Sequence, residues 1–531
     1  MKHFPTEIPG RAAAGFSGPL PPPNLNLAEY TLGSAPHRDP ARAALIVISD
    51  AAAAAPAEVW TYADLEAAVL RAAAGLNGLG LKPGARIVLR LGNTSAFPLC
   101  FFGAIAAGFV PVPTSTALTQ SELAFIVSDS GADAIICDDA ASLSWLPAGV
   151  LFVGAGELRT LLATPAEDRK FAKIRSDDPA YLIYTSGTTA APKGVVHAHR
   201  AAWGRRPMYQ GWYGISESDR VLHAGAFNWT FTLGTGLTDP WANGATAIIF
   251  TGDKDPAVWP RLIENTGATM FAAVPGVIRQ MLKYADLRPE AMPTLRHALI
   301  AGEAPPPGLF EDWTARTGRE LYEALGMSEI STYISSGPAV PRKPGTVGRP
   351  QPGRAVAILP ESGGETPLPP GEPGLIAVHR SDPGLMLGYW NRPEEEAAVL
   401  RGEWFVGGDL GVMDEDGYIG HLGRANDVIK ALGYRIAPQE VEAVLARHAG
   451  VAECACAALE VAAGVMVVCA YVVPRDPSTL PSGDDILAFA AQHLAAYKCP
   501  REIRFVSSLP RTPNGKVKRS ALASVMELKK L

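Results

Sequence analysis

Short apolar runs alternate with helical patterns in the first part of the chain, and this alternation restricts the fold more than any other feature. Apolar residues recur at helical spacing in Leu65–Leu79, and Arg86–Leu91 then predicts a strand. A buried helix is predicted over Phe97–Gly108, followed by short strands at Val110–Pro113 and Ala134–Cys137. Helices that separate short buried strands are typical of layers built on a mostly parallel sheet. The sequence therefore predicts an α/β fold, α+β overall once the later segments are included.

The length predicts more than one domain, because 531 residues exceed what one hydrophobic core usually organises. Residues 1–23 are predicted to form an N-terminal arm that lies on the surface or is disordered. Residues 24–425 are predicted to form a large domain of α/β layers with a small β subdomain, since Gly, Pro and charged residues dominate after Pro341. Residues 426–531 are predicted to form a small α+β domain. Its predicted elements are Pro438–His448, Val465–Val473, Asp484–Leu494 and Glu502–Val506.

Charge and hydropathy disfavour several partners. The formal net charge is -6 and the pI is about 6.0, so the chain lacks the basic field of a nucleic-acid-binding protein. Its apolar stretches are too short or too interrupted to span a bilayer, and no signal peptide is visible, so a cytoplasmic location is expected. The nearest approach to a metal cluster is His448, Cys454 and Cys456, which the core packing of an alternating strand explains better.

The strongest chemical signal is an apolar strand, Tyr181–Tyr184, that runs into a polar loop ending at Gly194. The groups in this loop suited to phosphate oxygens are the four hydroxyls, one glycine backbone and one lysine of Thr185, Ser186, Gly187, Thr188, Thr189 and Lys193. The loop misses the Walker pattern, because Pro192 stands where the second glycine of that pattern belongs. An ordinary polar turn is the alternative, and the density of Ser and Thr before Pro-Lys-Gly argues against it.

This segment resembles the signature of the adenylate-forming superfamily, which includes acyl- and aryl-CoA ligases, peptide-synthetase adenylation domains and firefly-type luciferases. The family signature is Tyr-Thr-Ser-Gly-Thr-Thr-Gly-x-Pro-Lys-Gly. The chain matches it at Tyr184–Thr189 and Pro192–Gly194 and has Ala190 where the family usually has glycine, which restricts φ. In overall look the chain is nearest to bacterial carboxylic acid–CoA ligases of the benzoate or medium-chain type. The resemblance implies a large AMP-binding domain followed by a small mobile one.

The resemblance also implies an ATP site. The segment that ends at Glu329 resembles the one that holds the adenine and the metal, with Ser328 on the α-phosphate and Glu329 on Mg²⁺. Leu325 replaces a family aromatic residue, so the adenine would pack on an aliphatic surface. Asp409 lies in a segment similar to Trp-Phe-x-Thr-Gly-Asp and would bind both ribose hydroxyls, and Arg424 would reach ribose or phosphate. The other implied ATP-binding residues are Gly302, Glu303, Ala304, Glu323 and Ala324.

For the small domain the resemblance implies a hinge, a CoA site and a catalytic lysine. Asn426 occupies the family's hinge position, about which the domain would rotate between two half-reactions. The residues that stand where the family's mobile domain meets the thiol are Lys430, Gly433, Tyr434 and Arg435. Lys516 lies in a segment that resembles the terminal Pro-x-Thr-x-x-Gly-Lys and would bridge the carboxylate and the α-phosphate.

An acyl pocket is implied near Ala226–Phe231. Amino-acid-activating relatives usually carry an aspartate where this chain has Asn228, so an α-amino acid is not expected as the substrate. Trp229 and Phe231 favour an apolar pocket for an aromatic or a short- to medium-chain acid. Gly326 and Met327 would also line this pocket. The alternative is that the aromatic residues simply belong to the core.

These implications together predict an enzyme, an AMP-forming acid–CoA ligase. A carboxylate would be adenylated by ATP with release of pyrophosphate, and the acyl group would pass to the thiol of CoA with release of AMP. ATP and CoA would be the co-substrates and Mg²⁺ the cofactor. One alternative is an adenylating enzyme that loads an acyl or aryl carrier protein, and a homodimer stays open. A non-enzymatic nucleotide-binding relative is disfavoured by the joint presence of Glu329, Asp409, Arg424 and Lys516.

Overall fold

The computed structural model describes most of the chain. The described residues are 15–33, 38–53, 55–137, 145–166, 170–185, 192–306, 308–425, 427, 429–431, 434–462, 465–476, 478–511 and 517–525.

The described strands before residue 340 are β1 Ala43–Ile48, β2 Glu58–Thr61, β3 Arg86–Arg90, β4 Val110–Pro113, β5 Ala134–Cys137, β6 Leu151–Val153, β7 Pro179–Thr185, β8 Lys193–Ala198, β9 Arg220–His223, β10 Thr246–Phe250, β11 Met270–Ala273, β12 His297–Ala301, β13 Glu320–Met327 and β14 Ser331–Ser335. The later strands are β15 Arg349–Pro350, β16 Val356–Leu359, β17 Gly374–His379, β18 Gly388–Tyr389, β19 Leu400–Arg401, β20 Trp404–Met413, β21 Ile419–Arg424, β22 Ile429–Ala431, β23 Tyr434–Ile436, β24 Val451–Ala462, β25 Val465–Pro474 and β26 Glu502–Phe505.

The described α-helices are α1 Leu27–Leu32, α2 Tyr62–Asn77, α3 Ala96–Ala107, α4 Gln120–Ser130, α5 Ala155–Leu162, α6 Arg206–Met208, α7 Thr230–Leu233, α8 Asp239–Ala242, α9 Val258–Thr266, α10 Pro275–Tyr284, α11 Leu309–Thr317, α12 Pro393–Ala398, α13 Pro438–Leu445 and α14 Gly483–His493.

Contacts divide the chain into two compact units. Unit 1 comprises residues 1–302, 313–356 and 378–405, and unit 2 comprises residues 303–312, 357–377 and 406–531. The domain ranges predicted from the sequence remain a prediction.

The largest sheet belongs to unit 1 and has the strand order β15-β14-β13-β12-β11-β9-β10-β1-β2. Its strands from β13 to β1 are parallel, and the antiparallel strands β14 and β2 flank them. Every residue of β10, β11 and β12 is buried. Continuous apolar runs of this kind form because a parallel sheet is covered on both faces. The predicted parallel α/β layer is confirmed.

A second parallel sheet of unit 1, ordered β4-β3-β5-β6, accounts for the alternation seen in the sequence. Helix α2 starts at Tyr62, before the predicted Leu65, because Thr61 and Asp64 form a capping box there. Helix α3 is buried from Phe97 through Ala106, as predicted for a helix apolar on all sides. The strands predicted at Val110–Pro113 and Ala134–Cys137 are confirmed.

The described part of the N-terminal arm lies against unit 1. The Phe16 N–H donates to Ser381 Oγ at 2.8 Å, and the Trp203 Nε1–H donates to the Pro19 carbonyl at 2.8 Å. Helix α1 then begins at Leu27, where the side chain of Asn26 caps its N-terminus.

Unit 2 contains most of a five-stranded sheet, in which β16, β17, β20 and β19 are neighbours in that order and β21 also pairs with β20. It also contains the antiparallel pair β22–β23. In a second sheet, of three strands, β24 and β25 are antiparallel and β26 is parallel to β25. Helices α13 and α14 pack on this second sheet. The helices and strands predicted after residue 437 are confirmed, and Cys456 is buried in β24 as the core-packing interpretation expects.

Within the described ranges, no helix is both long enough and apolar enough to cross a membrane.

Candidate active site

Several predicted site residues follow the carboxyl ends of neighbouring parallel strands in unit 1. The acyl segment with Asn228 follows β9, Gly302 follows β12, and Ala324 lies near the end of β13. Strands β9, β11, β12 and β13 are consecutive neighbours in the sheet, so the segments that follow them emerge along one edge. In open parallel sheets ligands bind outside the carboxyl ends of the strands. This edge is therefore the candidate nucleotide and acyl site of unit 1.

A tight antiparallel turn between β13 and β14 holds Ser328 and Glu329. Met327 pairs with Ser331, which leaves Ser328, Glu329 and Ile330 as the turn. Gly326 is needed beside it, because a Cβ atom there would lie 2.5 Å from the Ser331 carbonyl oxygen. Ser331 has φ +69°, and its Oγ accepts a 2.5 Å hydrogen bond from Arg205. A close backbone crossing thus fixes the position of the two predicted catalytic residues.

The ends of the predicted phosphate loop are held together by a β-hairpin. Strands β7 and β8 are antiparallel, and Thr185 pairs with Lys193 and Tyr184 with Gly194. A side chain at Gly194 would crowd Trp390 and the Tyr184 ring, each 3.2 Å from a Cβ placed there. The predicted loop residues Ser186, Gly187, Thr188 and Thr189 lie outside the described residues.

Lys193 is linked to Glu329 through one side chain, that of Tyr389. Strand β18 pairs with β8 and places Tyr389 opposite Val195. The Lys193 ammonium lies over the Tyr389 ring, 5.0 Å from its centroid, and forms an ion pair with Glu395 of α12. The Tyr389 hydroxyl donates to Glu329 Oε1 at 2.7 Å. A cation suited to phosphates and a carboxylate suited to a metal therefore share one neighbour.

Asp129, at the end of α4, anchors the same region. Its Oδ2 accepts from the Tyr184 hydroxyl at 2.7 Å, and its Oδ1 accepts from Arg392 at 2.6 Å. The Trp390 Nε1–H donates to the Asp129 carbonyl at 3.0 Å. Burial and the hydrogen bond to Asp129 raise the pKa of Tyr184, which keeps its hydroxyl protonated as a donor.

The segment predicted to hold the adenine forms strand β13. The Glu323 N–H donates to Ser336 Oγ at 3.0 Å, and burial raises the pKa of the Glu323 carboxyl to about 8 although Arg342 acts in the opposite direction. Leu325 is half-buried, and Gly302 turns the chain after β12 with φ +97°. The predicted residues Glu303 and Ala304 follow that turn.

The predicted acyl residues differ in their exposure. Asn228 and Trp229 are half-buried, whereas Phe231 is buried beside the His223 ring at a centroid distance of 4.5 Å. Burial lowers the pKa of His223 to about 3, and its Nδ1 accepts from the Gly225 N–H, so the ring is neutral. Asn93 holds this segment by donating to the Gly225 carbonyl at 2.7 Å.

In unit 2 the structure brings Asp409 and Arg424 together across an antiparallel strand pair. The two residues are register partners on β20 and β21, and Arg424 Nε lies 3.1 Å from Asp409 Oδ1. Arg424 also donates to the Gly407 carbonyl at 2.7 Å. His421 Nε2 lies 3.0 Å from the same carboxylate oxygen. The predicted ribose aspartate thus has two basic neighbours.

The remaining predicted residues belong to the C-terminal part of unit 2. Lys430 and Arg435 are register partners in the β22–β23 hairpin, as are Ala431 and Tyr434. The predicted residues that lie outside the described part of the chain here are Asn426, Gly433 and Lys516. Beyond Lys516, Arg519 pairs with Glu442 at 2.8 Å and with Asp427 at 3.4 Å.

Sequence reasoning missed Tyr389, Glu395, Asp129 and His421. Tyr389 follows a glycine in a short apolar stretch, which resembles any buried strand. Glu395 stands in a run of three glutamates at the start of α12, a pattern typical of an exposed helix N-terminus. His421 stands three residues before Arg424, a spacing that carried no signal until the register of β20 and β21 was known.

Comparison with known proteins identifies the family of the chain. The model of the AMP-binding enzyme family matches residues 34–390, and that of the AMP-binding enzyme C-terminal domain matches residues 440–516. The chain is 34% identical over 480 residues to a benzoate–CoA ligase of Thauera aromatica, covering 88% of this chain and 90% of the relative. It is 32% identical over 500 residues to a mitochondrial acyl-coenzyme A synthetase of Homo sapiens, covering 88% and 84%.

A solved structure gives the same result. The crystal structure of a benzoate CoA ligase from Burkholderia xenovorans LB400 superposes with a TM-score of 0.81 at 30% identity, covering 94% of this chain and 99% of that one. The two family models match successive parts of the chain, the AMP-binding model first and its C-terminal model after it. The protein therefore belongs to the AMP-binding enzyme family, the adenylate-forming enzymes that its sequence resembles.

Proposed function

We propose that the protein is a carboxylic acid–CoA ligase that uses ATP and forms AMP. The observation that carries this proposal is the link from Lys193 through Tyr389 to Glu329, because a cation suited to phosphates and a carboxylate suited to a metal then share one neighbouring side chain. The benzoate–CoA ligase and acyl-coenzyme A synthetase relatives support the same reaction class.

The reaction has two steps. A carboxylate oxygen attacks the α-phosphorus of ATP, the bond between that phosphorus and the β-phosphate bridging oxygen breaks, and pyrophosphate leaves. The thiol of CoA then attacks the acyl carbon of the mixed anhydride, loses its proton, and displaces AMP. In the first step an anion approaches a polyanion, so catalysis must come mainly from positioned positive charge and hydrogen-bond donors.

The proposed roles in the first step follow from the chemistry of each side chain. Lys193 and the hydroxyls of Thr185–Thr189 bind the pyrophosphate part of ATP, and Ser328 donates to the α-phosphate. Lys516 bridges the carboxylate and the α-phosphate. Asp409 accepts from the ribose hydroxyls, with Arg424 beside it.

Mg²⁺ is the cation that we propose at Glu329. Mg²⁺ is usually bound through one or two carboxylates together with substrate phosphates, and a single glutamate in a turn fits that donor set. The Glu329 carboxylate is half-buried, and the hydrogen bond from Tyr389 orients it. When bound, Mg²⁺ neutralises phosphate charge as a Lewis acid.

The proposed substrate is an apolar acid, either aromatic or of short to medium chain length. Asn228 is neutral, so the acyl segment lacks a carboxylate there to pair with an α-ammonium group. Phe231 and the neutral His223 ring, on either side of Asn228 in the sequence, pack against each other. The names of the relatives include both benzoate and acyl substrates, which agrees with an apolar acyl group.

For the second step we propose that the small domain rotates about Asn426 and that Lys430, Gly433, Tyr434 and Arg435 meet CoA. The alternative acceptor of the acyl group is the thiol of a carrier protein. We also propose a cytoplasmic location, and a homodimer is a separate hypothesis.

The test is an incubation of the protein with ATP, Mg²⁺, CoA and a panel of aliphatic and aromatic acids, with AMP and free thiol measured together. AMP formation matched by thiol loss supports the ligase and identifies its acid. Formation of AMP or of trapped acyl-adenylate without thiol loss would indicate that the acyl acceptor is a carrier protein and not CoA. Absence of AMP with every acid contradicts the proposal.

A further inference from the structure

Lys193 is held by an acidic partner from a distant part of the chain. Glu395, in the first turn of α12, places Oε2 on the Lys193 ammonium and Oε1 3.7 Å from Arg392 Nε. The Lys193 side chain is 16% exposed and that of Glu395 is 31% exposed. The ion pair is therefore partly desolvated, and its attraction is stronger than that of a fully exposed pair.

The position of Glu395 creates a conflict with the chemistry proposed for Lys193. An ammonium is a compact charge that can pair with a carboxylate or with phosphate oxygens. A triphosphate that approaches Lys193 is repelled by the negative charge of Glu395, which already pairs with the same ammonium group. Binding of ATP must therefore weaken or displace the existing ion pair.

We propose that Glu395 is a positioning residue that acts as an internal counter-anion, holding Lys193 on the face of Tyr389 until the β- and γ-phosphates of ATP displace it. The inference rests on the proposed function, since it takes Lys193 as the phosphate-binding lysine. Glu395 thereby lowers the affinity for polyphosphates and favours release of pyrophosphate. Nucleotides without those phosphates are unaffected.

The chain provides a matched control for this proposal. Glu394 precedes Glu395 on the same helix and carries the same charge, but its side chain is exposed. A neutral substitution at either residue changes the net charge equally, so a difference between them reports the contacts of Glu395, which are those with Lys193 and Arg392. Glu395→Asp keeps the charge on a shorter side chain and tests whether the charge itself is what matters.

The experiment measures binding by the full chain without a carboxylic acid, so that no adenylate forms. The probes are MgATP, pyrophosphate with Mg²⁺, and AMP, titrated into the unsubstituted protein, Glu395→Gln, Glu395→Asp and Glu394→Gln. We expect Glu395→Gln to bind MgATP and pyrophosphate about 3- to 10-fold more tightly and AMP equally well, the scale of one partly exposed ion pair. Glu395→Asp stays within about 2-fold of the unsubstituted protein for all three probes, as does Glu394→Gln.

Three results would overturn the inference: unchanged or weaker MgATP binding by Glu395→Gln, an equal gain in Glu394→Gln, or an equal gain for AMP. If Glu395→Gln melts at a much lower temperature than the unsubstituted protein, Glu395→Ala carries the same expectation. The proposed function fails separately, through the lack of AMP formation by the unsubstituted protein with any acid. If the unsubstituted protein forms AMP normally and Glu395→Gln binds MgATP with unchanged affinity, the inference about Glu395 is contradicted and the proposed function is not.

Discussion

Two predicted nucleotide-binding regions, one in each unit, both pair a basic side chain with a carboxylate, but they build the pair differently. In unit 2, Asp409 and Arg424 are register partners on adjacent strands, and the Asp409 side chain is 4% exposed. In unit 1, Glu395 reaches Lys193 from a short helix and is 31% exposed. Strand pairing fixes the backbones of Asp409 and Arg424 opposite each other, whereas Glu395 lies on a short helix outside the β-hairpin of Lys193 and can be exchanged for a ligand. We therefore expect substitutions of the two carboxylates, Asp409 and Glu395, to act in opposite directions on nucleotide affinity.

The largest effect is expected from Lys516→Ala, in unit 2. Loss of the proposed bridge between the carboxylate and the α-phosphate should reduce adenylate formation by about 100-fold or more, the scale of losing one electrostatic group at a transition state. The measurement is AMP formation in a single turnover, with Lys518→Ala, an exposed neighbour, as the control. Near-normal adenylation by Lys516→Ala would place the catalytic lysine elsewhere.

A smaller effect is expected from Asp409→Asn. The amide keeps the shape of the side chain but loses a charge-assisted acceptor, so binding of both ATP and AMP should weaken by roughly 10-fold. Because AMP retains the ribose, this pattern differs from that of Glu395→Gln, which should tighten ATP and leave AMP unchanged. Titration of each variant with ATP and with AMP distinguishes the two patterns. Glu415→Gln, a substitution at an exposed residue of the same unit, is the control. Weakened ATP binding with normal AMP binding would contradict the assignment of Asp409 to the ribose.

Tyr389→Phe, in unit 1, should remove the contact of this side chain with Glu329 and keep its contact with Lys193. The ring remains for Lys193, but the 2.7 Å hydrogen bond to Glu329 is lost. We expect the Mg²⁺ concentration needed for half-maximal adenylation to rise about 3- to 10-fold, the scale of one hydrogen bond to a charged group. Pyrophosphate binding without Mg²⁺ should stay unchanged. Tyr284→Phe, at an exposed tyrosine, serves as the control, and an unchanged Mg²⁺ requirement would argue against Tyr389 as the residue that orients Glu329.

A further effect is expected on stability and not on nucleotide binding, at Glu323. Burial raises its pKa in the folded protein to about 8 from the usual 4.5, so the folded chain binds more protons than the unfolded chain between those values. Stability should therefore fall as the pH rises through this window, and Glu323→Gln should remove that fall. Melting temperatures of the two proteins should be similar near pH 5 and differ most above pH 8, in favour of Glu323→Gln. A difference that does not vary with pH, or an equal one for the exposed Glu320→Gln, would contradict this account.

Much of the fold could be predicted because its signals are local. Periodicity placed α3 and the strands β4 and β5 to within a residue or two, since burial on all sides requires continuous apolar runs. The start of α2 was predicted too late because its capping box, Thr61 with Asp64, lies before the first periodic residue. The motif around Lys193 was visible for the same reason, since a phosphate loop is one short stretch of chain.

The partners of these residues were not predictable, because strand pairing alone brings them together. Tyr389 lies almost two hundred positions after Lys193 and reaches it only since β18 pairs with β8. Asp129 binds both Tyr184 and Arg392, although the three residues lie in separate segments of the chain. Neither contact has a periodicity or a fixed spacing that could mark it in advance.

The sequence by itself determined the α/β layers, the family resemblance and the residue types suited to ATP, because these depend on local patterning and on side-chain chemistry. The tertiary structure decided which polar side chains meet: Glu395 on Lys193, Tyr389 on Glu329, and His421 with Arg424 on Asp409. The physical reason is that electrostatic and hydrogen-bond energies depend on distance and burial, and both are fixed only when the strands have paired.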